Sequence, residues 1–195
     1  MSLVIGDLSI SLDGYATAPG ADLEHGLGVG GEPIHAWALH PTDVDAEILR
    51  SATRATGAVI MGRNLFDFID GPNGWSDNLG YGAGEAGRSH FVVVTSAPPQ
   101  QVRLELDFQF VTGGLAAAVE RAKAVAEGKN VVVMGGASVV RGCLDAGLLD
   151  RLVIHLSPVI TGGGISLFDG AARRELKQID VVVSERATHL TYAVS

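Results

Sequence analysis

The chain has 195 residues, 47% of them apolar and 18% charged, which is typical of one globular domain spanning residues 1–195. A net charge of −8 disfavours nucleic acid and anionic membrane surfaces as partners. Cys143 is the only cysteine, so the chain forms no internal disulfide. No apolar run reaches the about eighteen residues of a membrane span, and the N-terminus lacks the pattern of a secretory signal. We therefore expect a cytoplasmic protein.

The N-terminal part predicts a strand, a long loop and a helix. Residues 2–12 form a short run rich in β-branched side chains that ends at a turn dipeptide, which indicates a first strand. Residues 15–41 hold many glycines and prolines with little periodicity, which indicates a loop. Apolar residues at helical spacing then predict a helix that begins near Thr42 or Asp43 and ends near Gly57.

The middle of the chain predicts alternating strands and helices. A buried-type strand at 58–61 is followed by a helical stretch through residues 65–69. Residues 71–87 are glycine-rich and predict a second long loop. The remaining predicted elements of this part are strands at 91–95, 108–112 and 130–134 and helices at 115–127 and 137–146.

After Asp150 the predicted helices stop. Strand-like segments follow one another instead: 151–156, 165–168, 176–185 and 187–194. Alternating strands and helices force parallel pairing with helices on both faces of a sheet, whereas consecutive strands favour antiparallel pairing. The predicted fold is therefore α/β, a three-layer α/β/α domain with a mostly parallel central sheet and antiparallel C-terminal strands.

Three predicted strand ends carry groups that suit a phosphate. Gly135-Gly136 joins a strand to a helix N-terminus, where backbone N–H groups and the helix dipole favour an anion, although a tight turn without a ligand explains these glycines equally well. Gly62-Arg63-Asn64 adds a guanidinium to a similar arrangement, against the alternative of a solvated arginine. Thr95-Ser96 closes a third strand. Ligands of parallel sheets collect beyond such carboxyl ends.

Other motifs are excluded or weak. Two stretches, Gly26–Gly31 and Gly82–Gly87, match GxGxxG, but each lies in a long loop rather than between a strand and a helix. The chain has no P-loop, no nucleophile elbow and no zinc-binding spacing, so we expect no metal. His155, inside an apolar strand, is expected to be a partly buried histidine with satisfied hydrogen bonds rather than a catalyst. Cys143, inside a helix, is expected to be a packing residue.

Candidates for proton transfer are carboxylates. Asp13 follows the first strand, and Asp45 and Glu47 lie on the helix after the first loop. Each would need burial beside a substrate to acquire a useful pKa, and a solvated carboxylate is the simpler interpretation of any one of them.

Six segments, in this order, resemble the dihydrofolate reductase-like superfamily, and in particular stand-alone relatives of the reductase domain of bacterial riboflavin biosynthesis. They are Ser11–Gly14, Val59–Arg63 with Phe66, Val92–Ser96, Val133–Ser138, Leu144–Asp150 and Pro158–Phe168. The resemblance spans almost the whole chain and implies a reductase that takes hydride from NADPH.

The resemblance also implies which residues hold the cofactor. Gly62 and Arg63 would bind the adenosine 2′-phosphate together with Thr95 and Ser96, and an arginine at this strand end favours NADPH over NADH. The pyrophosphate would lie along Gly135, Gly136, Ala137, Ser138 and Val139. Asn64 is a further cofactor candidate, although it stands where the family commonly has a basic residue.

The implied substrate residues are fewer. Folate enzymes place a carboxylate near the position of Asp45, which makes Asp45 the candidate catalytic residue. Asp13, Trp37 and Phe66 are the substrate-binding candidates, with Trp37 over the pocket and the loops 15–41 and 71–87 shaping it. A zinc-deaminase motif is absent.

The resulting hypothesis is an NADPH-dependent reductase of a small heterocyclic or ribosylamino-pyrimidine substrate that forms a homodimer. Two alternatives stay open. One is a dihydrofolate or pterin reductase, and the other is a non-catalytic NADPH-binding protein, since no residue of the sequence stands out as an acid or base.

Overall fold

The computed structural model describes residues 2–77, 81 and 89–194. The strands are β1 Val4–Ser11, β2 Thr56–Gly62, β3 His90–Val94, β4 Phe108–Val111, β5 Asn130–Gly135, β6 Arg151–Ser157, β7 Lys177–Val183 and β8 Thr188–Ala193. The helices are α1 Ala36–Leu39, α2 Asp43–Ala55, α3 Arg63–Ile69, α4 Gly114–Val125 and α5 Ala137–Asp145, with a 3₁₀ turn at Glu32–His35.

The described strands form one eight-stranded sheet in the order β4-β3-β2-β5-β1-β6-β8-β7. The first six in that order are parallel, and β8 pairs antiparallel with both β6 and β7. The predicted α/β class, with a mostly parallel sheet and an antiparallel C-terminal end, is confirmed.

Helices cover both faces of the sheet. On one face α4 and α5 bury small and branched side chains, such as Ala118 and Val140, against β1, β2 and β5. On the other face α3 buries Phe66 and Ile69 against β2 and β3. Burial of apolar area at about 25 cal/mol per Å² is what holds such layers together.

Local sequence explains where α2 begins. The Thr42 hydroxyl accepts a hydrogen bond from the Asp45 backbone N–H at 3.3 Å, and the Asp45 carboxylate accepts one from the Thr42 backbone N–H at 2.9 Å. This reciprocal capping box satisfies two N–H groups that a helix start leaves without partners. The predicted helix start at Thr42 or Asp43 is therefore confirmed.

The structure differs from the predicted elements in two places. The loop predicted over 15–41 contains the 3₁₀ turn and α1, because Pro33 near the start of the 3₁₀ turn suits a helical first position and Ile34 and Trp37 are buried there. The segment 165–168 is not a strand. It makes only an isolated bridge between Tyr15 and Ser166.

None of the helices within the described residues is long and apolar enough to cross a lipid bilayer.

Candidate functional site

The three strand ends singled out in the sequence lie side by side. The sheet order places β2 between β3 and β5. Gly62, the last residue of β2, pairs with Val94, and Met61 pairs with Gly135. The strands are parallel, so the segments that leave β2, β3 and β5 all emerge at one edge of the sheet. The sequence could not show this adjacency.

The turn from β5 into α5 has the form of an anion cradle. Gly135 has φ +139°, a conformation that favours glycine, and Gly136 is the N-cap of α5 without a side chain to cap it. The backbone N–H groups of Ala137 and Ser138 find no acceptor in the described part of the chain. A Cβ added at Gly136 would meet no atom within 4 Å, so the turn is open on that side. Free N–H groups and the helix dipole both favour a negative group here.

The end of β2 is in close contact with α5 at Gly62. A Cβ at Gly62 would come within 2.7 Å of a methyl carbon of Val139 on α5. Glycine at this position therefore allows the end of β2 to approach the first turn of α5. Val139 is half-buried and Ser138 is exposed, so the rim of the cradle presents one apolar and one hydroxyl side chain.

Arg63 links the start of α3 to the segment after β3. Its Nε donates to an Asp67 carboxylate oxygen at 2.7 Å, and its Nη1 donates to the Ala97 carbonyl oxygen at 2.6 Å. The Thr95 hydroxyl donates to the same Ala97 carbonyl oxygen at 2.7 Å. These bonds use two of the five guanidinium donors. Arg63 is thus held beside Thr95, as the predicted phosphate contact requires, while Asn64 and Ser96 are exposed nearby in the chain.

Asp13 holds the glycine-rich turn after β6. One carboxylate oxygen accepts from the Thr161 backbone N–H at 3.2 Å and the other from the Gly162 backbone N–H at 2.8 Å. The Ser11 side chain, followed by these N–H groups, lowers the pKa of Asp13 to about 2. Asp13 is exposed and stays charged at neutral pH. Its predicted role in substrate binding stays a prediction.

The two aromatic substrate candidates are buried. Trp37 donates its indole N–H to the Ser9 hydroxyl at 2.9 Å, and the centroid of its ring lies 3.9 Å from the centroid of the His155 ring. Phe66 is 1% exposed and packs edge-to-face against Phe108 and Phe110. Substrate contact by Phe66 requires movement of this aromatic cluster, and both roles stay predictions.

Asp45 is fully buried at the first turn of α2. Its second oxygen accepts from the Thr42 hydroxyl at 2.7 Å, and its first oxygen lies 3.0 Å from His189 Nε2. Burial raises the pKa of Asp45, but hydrogen bonds from Ser184, Thr42 and His189 together outweigh it, so the pKa is lowered. The catalytic role of Asp45 stays a prediction. The contacts show a carboxylate that is already charged and fully partnered.

A buried polar network that the sequence did not predict lies beside Asp45. His189 Nδ1 lies 2.7 Å from His155 Nδ1, and His155 Nε2 lies 3.0 Å from an Asp7 carboxylate oxygen. The expectation that His155 is a buried, partnered histidine is confirmed. A usable signal was present in the sequence, because Asp7, Ser9 and Ser11 place three polar side chains on one face of an otherwise apolar strand.

Cys143 and the second loop complete the sequence candidates. Cys143 lies on the buried face of α5 and is fully buried, which confirms packing as its role. Burial also raises the pKa of its thiol to about 11. In the loop 71–87, Trp75 packs against Phe91 and the Tyr81 hydroxyl lies 3.3 Å from the Thr56 hydroxyl. Residues 78–80 and 82–88 lie outside the described residues, and with them Gly82–Gly87. A lid role for this loop stays a prediction.

No group of three or more histidine, cysteine, aspartate and glutamate side chains within residues 2–77, 81 and 89–194 is arranged to hold a metal ion.

The histidines near the network make stability depend on pH. Burial, followed by the charge of His155, lowers the pKa of half-buried His35 to about 4, below the ordinary value of 6.5. The unfolded chain then binds more protons than the folded one, so stability is complete above about pH 6.5 and is lost as the pH falls toward about 4. Thermal unfolding should shift to lower temperature across this range.

The substitution His35→Gln should remove part of that pH dependence, with the rest carried by His189, whose pKa burial also lowers. His40→Gln, at an exposed residue of the same segment, is the matched control and should behave as the wild type does. Calorimetric melting curves at several pH values measure both. An identical acid sensitivity in the His35 variant would contradict the assignment.

Comparison with known proteins agrees with the α/β fold. The model of the RibD C-terminal domain family matches residues 2–190. A candidate riboflavin biosynthesis protein from Shewanella sp. PV-4 has 22% identity and a TM-score of 0.66, with 99% of each chain covered. A pyrimidine reductase-like protein from Corynebacterium diphtheriae has 18% identity and a TM-score of 0.66, with 100% of this chain and 92% of that chain covered.

The third structure is a longer protein. It is the diaminohydroxyphosphoribosylaminopyrimidine deaminase/5-amino-6-(5-phosphoribosylamino)uracil reductase of Thermotoga maritima, with 15% identity and a TM-score of 0.63. The match covers all of this chain but 57% of that one. No curated protein matches the sequence. These structures share the fold, and the family match over nearly the whole length shows that the chain belongs to the RibD C-terminal domain family.

Proposed function

We propose that this chain is a reductase of the riboflavin pathway that transfers hydride from NADPH to a ribosylamino-pyrimidine of the 5-amino-6-(5-phosphoribosylamino)uracil type. The observation that carries the proposal is the adjacency of three phosphate-compatible strand ends in the order β3-β2-β5. The family supports a reductase. The names of the Thermotoga and Corynebacterium proteins support a pyrimidine substrate.

The residues present fit a dinucleotide that carries an extra phosphate. The open turn at Gly136, with the N–H groups of Ala137 and Ser138, suits the pyrophosphate. Arg63 beside Thr95 suits the 2′-phosphate, because a guanidinium fork pairs with two phosphate oxygens. Gly62 and Val139 lie between the two positions. In this proposal Asn64, Ser96 and Gly135 complete the cofactor contacts.

The chemistry divides between cofactor and protein. NADPH supplies the hydride when it is bound. The chain binds the phosphates, orients the reacting carbon and excludes water. The face of the sheet that carries Trp37 and Asp45 is the proposed substrate side. The turn held by Asp13 lies at its rim, next to the end of β1.

Two rival functions make different predictions. A dihydrofolate or pterin reductase would use the Asp45 carboxylate to bind the pterin, but that carboxylate is occupied by Thr42 and His189, so we place this function second. A non-catalytic NADPH-binding protein would bind the cofactor and turn over neither pyrimidine nor pterin.

The cofactor assignment predicts a selective effect of Arg63→Ala. The variant should weaken NADPH binding by about 1.5–3 kcal/mol, the value of a charge-assisted phosphate contact, and should leave NADH binding nearly unchanged. Equilibrium titrations followed by the fluorescence of the reduced nicotinamide measure both cofactors.

The matched control is Arg173→Ala, because Arg173 is 91% exposed and pairs only with an equally exposed Glu175 among the described residues. This control should bind both cofactors as the wild type does. Equal losses of NADPH and NADH affinity in the Arg63 variant would refute the phosphate contact.

We also propose a homodimer. The edge strand β7 exposes Ile179, Val181 and Val183, the last of them 68% exposed. An apolar, unpaired edge is a liability in a monomer, and a second copy of the chain would cover it.

Sedimentation velocity should therefore give about twice the chain mass of 20.2 kDa. Val183→Lys should shift the protein to monomer, whereas Ile160→Lys, at a 70% exposed position after β6, should not. A monomeric wild type, or a Val183 variant that stays dimeric, would contradict this interface.

A further inference from the structure

Four titratable side chains form an unbroken hydrogen-bonded chain across the sheet face that carries α2. Asp7 on β1 contacts His155 on β6, His155 contacts His189 on β8, and His189 contacts Asp45 on α2. The three contacts measure 3.0, 2.7 and 3.0 Å. We name this set of residues the Asp7–Asp45 chain.

The Asp7–Asp45 chain is shielded from solvent at its Asp45 end and partly exposed to solvent at its Asp7 end. The side chains of His155, His189 and Asp45 are 3%, 5% and 0% exposed, whereas that of Asp7 is 23% exposed. The Trp37 ring covers His155 at 3.9 Å and His189 at 5.0 Å. Protons therefore enter or leave the chain at Asp7.

The geometry determines how many protons the two imidazoles hold. Each of the three contacts needs one hydrogen, and ionised carboxylates supply none. Three protons on four ring nitrogens make one imidazole neutral and the other an imidazolium. With only two protons, each directed at a carboxylate, the Nδ1 lone pairs of His155 and His189 would face each other at 2.7 Å.

The surroundings stabilise one buried charge and oppose a second. Asp7 faces the pair from β1 and Asp45 from α2, and His35 on the 3₁₀ turn is the third titratable neighbour, close enough for the charge of His155 to lower its pKa. Burial, followed by the charge of His155, lowers the pKa of His189, while Asp45 acts in the opposite direction. A single imidazolium charge shared by the pair agrees with the stabilising effect of the carboxylates and with the opposing effect of burial.

The open end lies beside the proposed cofactor cradle. Asp7 is on β1, which pairs directly with β5, the strand that leads into the turn at Gly135. Gly6 on β1 pairs with Val133 on β5, so Asp7 lies about level with Met134, the residue before Gly135. The same face of the sheet holds Trp37 above Ser9.

We propose that the Asp7–Asp45 chain is a proton relay. His155 and His189 store one proton beyond the two that neutral rings carry, and Asp7 passes it to the substrate during reduction. The delivery step rests on the proposed reductase function, whereas the stored proton does not. His155, His189 and Asp45 are positioning residues, since they act through Asp7.

The step balances as a reduction by hydride and proton. Hydride from NADPH forms a C–H bond at the substrate carbon and leaves NADP⁺. The electron pair of the carbon–heteroatom double bond moves to the heteroatom, which takes a proton from the Asp7 carboxyl group. Asp7 receives that proton from His155 Nε2 before delivering it, and water returns one proton to the pair through Asp7 after product leaves.

The first test needs neither cofactor nor substrate. Nitrogen-15 spectra of histidine-labelled protein at neutral pH should show one imidazolium charge shared by His155 and His189, with a strongly downfield N–H proton between them. Asp7→Asn, which keeps the shape of the side chain, should also change the nitrogen shifts of His189, which Asp7 does not touch. Two neutral rings, two charged rings or an unchanged His189 would overturn the relay.

The matched control is Asp107→Asn, which alters an exposed histidine–carboxylate pair with His90 on β3. Its effect should be confined to His90. Asp45→Asn tests the closed end of the relay and should change the shifts of His155 across His189 in the same way. These variants are isosteric and are expected to fold as the wild type does. Amide spectra that match the wild type away from the substituted residue check this.

The second test measures delivery. Asp7→Asn should lower kcat about a hundredfold, the usual contribution of a positioned acid, flatten the pH profile of kcat and leave the Kd for NADPH within about twofold of the wild type. An unchanged kcat, or NADPH binding without any turnover by the wild type, would overturn delivery by Asp7. Loss of NADPH binding in the wild type would instead refute the proposed function, while the nitrogen spectra would still report on the stored proton.

Discussion

Parallel pairing of six strands is the constraint on which the candidate site depends. A parallel strand returns to the sheet through a crossover, so each carboxyl end opens into a turn on the same edge. In this chain the order β3-β2-β5 makes three of those turns neighbours. Arg63, Thr95 and the Gly135-Gly136 turn come together because the sheet aligns them, although dozens of residues separate them in the sequence.

One face of the sheet combines two environments. At β2 and β3 it is apolar, and Phe66 and Ile69 pack on it as an ordinary core. At β1, β6 and β8 the same face buries the Asp45 carboxylate, hydroxyls and two histidines, and each buried side-chain polar group there has a partner. Buried polar groups cost free energy unless they are paired, which explains why the network is continuous. The apolar half packs as core, and the polar half carries the hydrogen-bonded network.

Local sequence patterns predicted most of the fold. Features that depend on contacts between residues distant in the sequence could not be predicted. The cap at Thr42, the buried-type strands and the loss of alternation after Asp150 each depend on a few adjacent residues, and these predictions hold. The 3₁₀ turn and α1 were missed because glycines and prolines dominate that stretch, while the burial of Trp37 that stabilises it depends on distant strands. The site followed the same rule: its strand-end motifs were visible in the sequence, whereas the pairing of His155 with His189 depends on the register of β6 and β8.

Single-turnover oxidation of NADPH is the sharpest test of the proposed reductase function. The purified protein is mixed with NADPH and, in turn, with the ribosylamino-pyrimidine phosphate and with dihydrofolate, and the loss of nicotinamide absorbance is followed under single-turnover conditions. We expect stoichiometric oxidation of NADPH with the pyrimidine and little with dihydrofolate or with NADH as donor. Bound NADPH that is oxidised by neither substrate would contradict it and leave a nucleotide-binding protein on a reductase fold.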